Sequence, residues 1–351
     1  MNSVAKKGLT MIKSSFPPRI GIRVPAILKK FNKVNLMVAG DMMVDESIYG
    51  NTERISREAP VLILRYSHTD FMPGGAANAA NNALDLGAKV TPLGVVGKDE
   101  QGQKLLQYFK MKKADVSGLL ALDNRQTTVK CRIMAGAHHT AKQQVIRLDK
   151  IEDKEVSRQV EVKLIARITA LAPKMDALLI SDYSLGVLTE GVRRSLLSAF
   201  EGKVITVDSH VDLEKYKGVS LVTPNVAEAG PAAGMVIEDN ESLLRAGQVL
   251  VKKLECNVLI TKGPQGMSLF DSKGGVTHLP VFGLDQPVDP TGAGDTVAVA
   301  STLALAAGAD LPLAASLASV AAGLVVAKRG TATVTADEIL KALKLVGVFG
   351  K

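Results

Sequence analysis

The chain has 351 residues, 46% of them hydrophobic, enough for one large α/β domain or two modest ones around a substantial core. Aromatics make up 4% and Trp is absent, which argues against a stacking surface for single-stranded nucleic acid. The net charge of +8 would suit a phosphorylated partner, but Lys6, Lys7, Lys13, Arg19, Arg23, Lys29, Lys30 and Lys33 precede any acid and leave the rest close to neutral.

Two cysteines, Cys131 and Cys256, are too few for a disulfide framework or a cysteine-based metal site. They predict reduced, buried thiols in a cytoplasmic protein. No apolar run reaches transmembrane length, and Pro17, Pro18 and scattered charges interrupt any secretory signal. Residues 1–23 are read as a disordered basic arm and 24–351 as the folded unit.

In chain order, residues 25–33 predict a short helix, and 34–39 form an apolar run ending in Gly40-Asp41, as in a buried parallel strand that feeds a functional loop holding Asp45. Short extended pieces at 48–50 and 61–66 flank a polar segment and stand apart from the core. Pro73-Gly74-Gly75-Ala76-Ala77-Asn78 opens a helix of small residues that Gly87 closes. Strand 90–96 leads to a helix ending near Phe109; its Gly97 and Gly102 have P-loop spacing, but Gln103-Lys104 follow where Lys then Ser or Thr is needed. Runs at 129–134 and 144–148 read as a hairpin with His138 and His139 at its tip, a pair that matches no common metal-ligand spacing.

From Glu152 onward, helices ending near 171, 200 and 254 alternate with apolar strands at 177–180, 204–207, 220–222 and 257–261. Such alternation predicts a mostly parallel sheet with helices on both faces. Strands near 266–270 and 276–279 read as an antiparallel edge, and apolar helices at 296–307 and 313–327 finish the domain.

Just before the first of those helices stands Asp289-Pro290-Thr291-Gly292-Ala293-Gly294-Asp295. The two glycines allow close backbone approach, and amides at a helix start attract an anion. Asp295 then places a carboxylate beside that anion site, although Asp after a glycine turn is also an ordinary N-cap.

Four elements stand in one order: Gly74-Gly75-Ala76-Ala77-Asn78, Asn225-Val226-Ala227-Glu228, Thr261-Lys262-Gly263-Pro264-Gln265-Gly266, and the stretch from Asp289 to Asp295. Together they resemble the ribokinase-like (PfkB) family of sugar kinases. The resemblance implies a Rossmann-type sheet and a small β-sheet lid, built here from about 46–66 and 126–148. Gly40-Asp41-Met42-Met43-Val44-Asp45, the run from Arg54 to Val61, and the segments 144–149, 181–183 and 328–333 are similar to those family members that phosphorylate the anomeric oxygen of D-glycero-β-D-manno-heptose 7-phosphate. Ser184-Leu185-Gly186 stands where those kinases carry Gly-Lys-Gly, and Glu46-Ser47 where they carry Arg-Tyr.

The resemblance implies an ATP- and Mg2+-dependent kinase in which Asp295 takes the proton of the sugar hydroxyl. The amides of Gly292, Ala293 and Gly294 would hold the developing phosphoryl charge. A helix N-terminus favours the ionised form of Asp295, so a ready but weak base is expected. Asn225 and Glu228 would order water around Mg2+ and the nucleotide phosphates, while Asn225 followed by Glu228 also forms a capping box. Thr261, Gly263 and Gly266 would line the nucleotide. Asp289, Thr291 and the Gly330-Thr331 turn are candidates for a monovalent cation such as K+.

Asp45, Gly74, Gly75 and Asn78 would bind sugar hydroxyls. Arg54, Lys130, Arg132 and Arg147 on the lid would meet a sugar phosphate, with alternation putting Lys130 and Arg132 on one face. Exposed lid edges predict a homodimer, and neither nucleic acid nor membrane is expected as a partner. The rivals are another kinase of the same scaffold and a catalytically silent sugar-phosphate sensor.

Overall fold

The computed structural model of the chain describes residues 20–137, 140–283 and 288–345, so most of the basic arm and the His138-His139 pair lie outside the described residues. A first helix, α1 (Ile20–Leu28), starts inside what was expected to be the disordered arm. Arg23 ties it down through an ion pair with Asp310 at 2.5 Å.

The elements then run β1 (Asn35–Gly40), β2 (Met42–Ile55), β3 (Leu62–Gly75), α2 (Ala76–Asp85), β4 (Lys89–Gly97), α3 (Glu100–Met111), β5 (Leu119–Leu122), β6 (Thr128–Gly136) and β7 (Gln143–Lys150). After them come α4 (Arg158–Leu171), β8 (Ala177–Asp182), α5 (Glu190–Ala199), β9 (Val204–Ser209), β10 (Leu221–Val222), α6 (Val226–Ala233) and α7 (Asn240–Leu254). The described chain ends with β11 (Asn257–Thr261), β12 (Met267–Phe270), β13 (Val276–Leu279), α8 (Ala293–Ala306), α9 (Leu311–Val325) and α10 (Ala336–Leu345).

Nine strands form one sheet in the order β13-β12-β11-β10-β9-β8-β1-β4-β5. All neighbours are parallel except β11–β12 and β12–β13, which form the antiparallel edge that the sequence predicts. The central strands β1 and β8 are buried throughout apart from Asn35 at the start of β1, and each face of the sheet is covered by its own apolar cluster. This is why their sequences read as unbroken apolar runs rather than alternations.

Helix α8 has no solvent face: residues 295–304 are all buried. Its alanines Ala298, Ala300 and Ala304 share a cluster with Ala314, Ala315, Ala318 and Ala321 of α9. A helix apolar all round must sit between layers, and that position fixes its N-terminus at the sheet's active edge.

The lid is a second sheet in the order β3-β2-β6-β7, with β2–β6 parallel and the outer pairs antiparallel. Its two long strands differ from expectation. β2 and β3 run 14 residues each, where only short pieces at 48–50 and 61–66 were foreseen. Polar residues Ser67, His68, Thr69 and Asp70 are exposed on β3, so no apolar alternation announces it. Asp45 consequently lies on β2 rather than in a loop. The strand β5 and the terminal helix α10 also went unforeseen. Among the described residues no helix is long and apolar enough to cross a membrane, and both cysteines are free and buried.

Candidate active site

Parallel strands end on one edge of a sheet, and ligands bind beyond those carboxyl ends. Here that edge gathers Gly40-Asp41 after β1, Asp182-Tyr183 after β8, Asp208-Ser209-His210 after β9 and Thr261 at the end of β11. The start of α8 points into the same space, with Gly292 as its N-cap at φ +79°. Only glycine holds that backbone without strain, and a Cβ there would come within 2.8 Å of Asn78 Nδ2. Among the described residues the N–H groups of Gly292 and Gly294 meet no acceptor, as helix starts leave them, whereas Ala293 N–H already donates to Pro290 O at 3.2 Å. The expected trio of free amides is therefore a pair flanking an occupied one.

Asp295 is 6% exposed. Its Oδ2 accepts from Asn78 Nδ2 at 2.7 Å, and its Oδ1 accepts from the Tyr183 hydroxyl at 3.4 Å. Burial raises its pKa to about 6, against the lowering effect of the Asn78 bond and of His210. This corrects the expectation of a weak base: desolvation outweighs the helix terminus. The result is a carboxylate far better matched to a proton near neutral pH.

Three groups that the sequence reading left without a role complete the cluster. Asp208 is buried, accepts from Thr223 Oγ1 at 3.2 Å, and is pushed up to about 7 by burial and by Asp295. His210 Nδ1 lies 2.5 Å from Glu228 Oε1, a pairing that raises the imidazole pKa. Tyr183 packs its ring against His210 with centroids 4.3 Å apart. Asp41 Oδ2 accepts from the amides of Tyr183 at 2.9 Å and Leu185 at 3.2 Å. The signal for Asp208 and His210 was their position after an apolar run read as a parallel strand.

Of the residues expected to face a nucleotide, Asn225 and Glu228 form a reciprocal capping box at the start of α6. A parallel bridge joins Asn225 to Thr261, so two separate motifs meet there. Gly266 turns at φ +80°, where a Cβ would lie 2.1 Å from Leu279 O, and Gly263 faces open space. Both Glu228 oxygens are engaged, Oε2 accepting from Asn225 N–H at 2.8 Å. Among the described residues no group of three or more His, Cys, Asp or Glu could enclose a metal. A Mg2+ ion carried by phosphates and water fits this arrangement; a protein-enclosed one does not.

Asp289 accepts from Thr291 N–H at 3.0 Å and Gly330 N–H at 2.9 Å, bringing both halves of the suggested cation loop together. Burial opposes ionisation of Asp289, yet these bonds lower its pKa overall. Thr331 Oγ1 is buried there with no partner among the described residues, an oxygen that a cation would satisfy.

The lid brings Asp45, Lys130 and Arg132 over the cleft. Register pairs Asp45 with Lys130 and Ser47 with Arg132, placing all four on one face. Arg132 Nη1 donates to Asp45 Oδ1 at 2.6 Å, and Lys130 Nζ sits 4.9 Å from the Tyr183 ring centroid. Gly74 allows this approach, since a Cβ would lie 2.9 Å from Asp45 Oδ2, while Gly75 makes the turn from β3 into α2. Arg147 pairs across the sheet with Arg132 but spends its guanidinium on Asp149 at 2.6 Å and 2.8 Å. Arg54 lies exposed near the end of β2, beyond the part that pairs with β6, and is not brought to the cluster.

Comparison with known proteins points the same way. The family described as pfkB family carbohydrate kinase matches residues 33–338. Bifunctional protein HldE of Pelobacter propionicus is 38% identical over 92% of the chain, and its namesake in Geobacter metallireducens 40% identical over 90%. The chain spans 66% and 64% of the length of those two relatives. Among solved structures, Arabidopsis thaliana ribokinase complexed with ribose and ATP superposes with a TM-score of 0.68 at 18% identity, covering 89% of this chain and 99% of the ribokinase. Escherichia coli phosphofructokinase-2 in complex with potassium gives 0.70 at 19% identity, covering 90% and 99%.

Proposed function

This chain belongs to the pfkB family of carbohydrate kinases, and from that premise we propose that it phosphorylates D-glycero-β-D-manno-heptose 7-phosphate at O1, using ATP, to give the 1,7-bisphosphate. The observation that carries this reading is the buried carboxylate of Asp295, which stands beside the Gly292 and Gly294 amides under a lid face bearing Lys130 and Arg132. Relatives named bifunctional protein HldE and the sequence resemblance to heptose 7-phosphate kinases support the choice of sugar.

In this mechanism the acceptor hydroxyl gives its proton to Asp295 as its oxygen bonds to the γ-phosphorus. The phosphorus–oxygen bond to ADP breaks, and its electron pair stays on the β-phosphate oxygen. The amides of Gly292 and Gly294 face the charge that spreads over the transferred group. Asn78 and Asp45 hold sugar hydroxyls, and Lys130 and Arg132 neutralise the sugar phosphate. Mg2+ bound with the nucleotide would neutralise phosphate charge, with Glu228 and Asn225 ordering its waters. K+ would sit between Asp289, Thr291 and the Gly330-Thr331 turn, where it would satisfy Thr331 Oγ1.

A second reading, another phosphorylated acceptor on the same site, is favoured by Glu46-Ser47 and Ser184-Leu185-Gly186, where this chain departs from the heptose kinases on the substrate side. The test is a panel of heptose 7-phosphate, ribose, fructose 1-phosphate, fructose 6-phosphate and adenosine with ATP and magnesium, products assigned by phosphorus NMR. Heptose 7-phosphate should show the highest kcat/KM and yield an anomeric phosphate. Preference for any other acceptor would overturn the assignment of the sugar.

The lid also supports a homodimer. The sheet face opposite the cleft exposes Tyr66, Ile146 and Leu148, at 65%, 57% and 55%, and among the described residues β3 and β7 are the edge strands of the lid sheet. A second copy would cover this apolar face and pair those edges. Replacing Ile146 and Leu148 together by Glu should halve the mass seen by analytical ultracentrifugation without lowering the chain's helical content. An unchanged dimer would place the interface elsewhere.

A further inference from the structure

Tyr183 touches the buried carboxylate, the imidazole after β9 and the lid cation, yet the sequence reading gave it no role of its own. Its hydroxyl reaches Asp295 Oδ1 at 3.4 Å, its ring lies 4.3 Å from that of His210, and the lid cation Lys130 stands 4.9 Å above it. Around it face Asp295 from α8, Asp45 and Lys130 from the lid, and Asp208 and His210 from the end of β9. The backbone that presents it is pinned on both sides. Asp41 Oδ2 accepts the Tyr183 amide, Asp182 Oδ1 accepts the Ser184 amide at 2.9 Å, and the Tyr216 hydroxyl in turn holds Asp182 at 2.6 Å. Ser184 is held at φ +56°, a left-handed conformation that a serine keeps only where its surroundings impose it.

Asp295 offers two oxygens. Asn78 holds Oδ2 with a short bond, which leaves Oδ1 the less engaged oxygen for the acceptor's proton. The long Tyr183 contact leaves that oxygen aimed but available. Burial and the surrounding carboxylates hold the phenol well above its ordinary pKa, so it remains a donor throughout turnover.

Resting on the kinase reading, we propose that Tyr183 is a positioning residue for phosphoryl transfer. Its hydroxyl aims Asp295 Oδ1 at the acceptor, and its ring seats Lys130 of the lowered lid over the sugar phosphate. One side chain thereby links closure of the lid to the readiness of the base. The covalent chemistry is unchanged: the proton goes to Asp295, and Tyr183 keeps its own.

The two functions separate by mutation. Tyr183→Phe keeps the ring and removes the hydroxyl, so kcat should fall about ten- to a hundredfold while the acceptor's KM stays within about twofold. Because the Tyr183 bond lowers the pKa of Asp295, its loss should move the acid limb of the kcat/KM profile to higher pH. Tyr183→Leu removes the ring as well and should raise the acceptor's KM, after which Lys130→Met adds little. A Phe variant with native kcat and an unmoved acid limb overturns the proposal, as does a Leu variant in which Lys130→Met keeps its full effect. Failure of the underlying reading looks different: the native enzyme itself would then transfer no phosphate to any acceptor, and this proposal would fall with it.

Discussion

Replacing Asp295 by Asn should lower kcat by about 10²- to 10⁴-fold, the range that a well-placed general base contributes. The folded protein should nevertheless survive, and at pH 8 it should melt at a higher temperature than the native chain. Both outcomes come from one cause. Asp295 is buried, and burial raises its pKa from 3.8 to about 6. A carboxyl whose pKa is higher in the folded state favours folding when protonated, and that advantage is lost as pH rises through about 6. Ionising this group inside the native protein therefore costs roughly 3 kcal/mol of stability at pH 8. Asn carries no such penalty, so the gain should be present at pH 8 and absent at pH 4. ATP consumption and melting curves of the two proteins at both pH values check this. Residual turnover near the native rate would remove Asp295 from the chemistry. A catalytically silent sensor would show no turnover in either protein.

Gly294→Val should abolish measurable phosphoryl transfer, a loss of at least about a hundredfold, matching what removal of one charge-stabilising donor costs elsewhere. The reasoning separates function from folding. Gly294 lies in the first turn of α8, and a Cβ added there meets no atom within 4 Å. Since glycine is a poor helix residue, nothing in the protein's packing calls for it at this position. If the phosphoryl group comes to the Gly292 and Gly294 amides as proposed, a larger side chain on Gly294 would stand in the open space it has to enter. Stability should stay within about 0.5 kcal/mol of native, as for other substitutions that disturb no contact, while titration with an ATP analogue should show weakened binding. Full activity in the Val variant would mean that the phosphoryl group passes elsewhere. Gly292→Val is a poorer test, because φ +79° and the 2.8 Å approach to Asn78 would disturb the backbone as well.

How much of this was legible in the sequence depends on whether each part leaves a periodic trace. The central strands did, since burial on both faces leaves unbroken apolar runs such as 177–180 and 257–261. Helix α8 and its glycine turn did for the same reason: ten consecutive buried positions follow two spaced glycines. The lid was recognised as a separate piece but its strands were cut short. Exposed residues such as Ser67, His68 and Asp70 on β3 give no alternation to read. Within the site, Asn78 and Asp295 were named and do meet, across 217 positions of sequence. Arg54 and Arg147 were named as basic groups on the lid, but one lies exposed near a strand end and the other is held by Asp149.

Asp208, His210 and Tyr183 could not be read as a cluster, because Tyr183 follows β8 while Asp208 and His210 stand at the end of β9, and only the sheet order sets those two strand ends side by side. The electrostatics of Asp295 was misjudged from the sequence for a related reason. A helix start is visible in the letters, but the burial that outweighs it is a property of the assembled layers.

The central claim is that phosphate is transferred at the start of α8, and a crystal structure with a non-hydrolysable ATP analogue and sugar phosphate tests it most directly. The account predicts γ-phosphate oxygens within hydrogen-bonding reach of the Gly292 and Gly294 amides, and the acceptor oxygen within reach of Asp295 Oδ1. A terminal phosphate bound away from that turn, with Asp295 facing neither substrate, would contradict it.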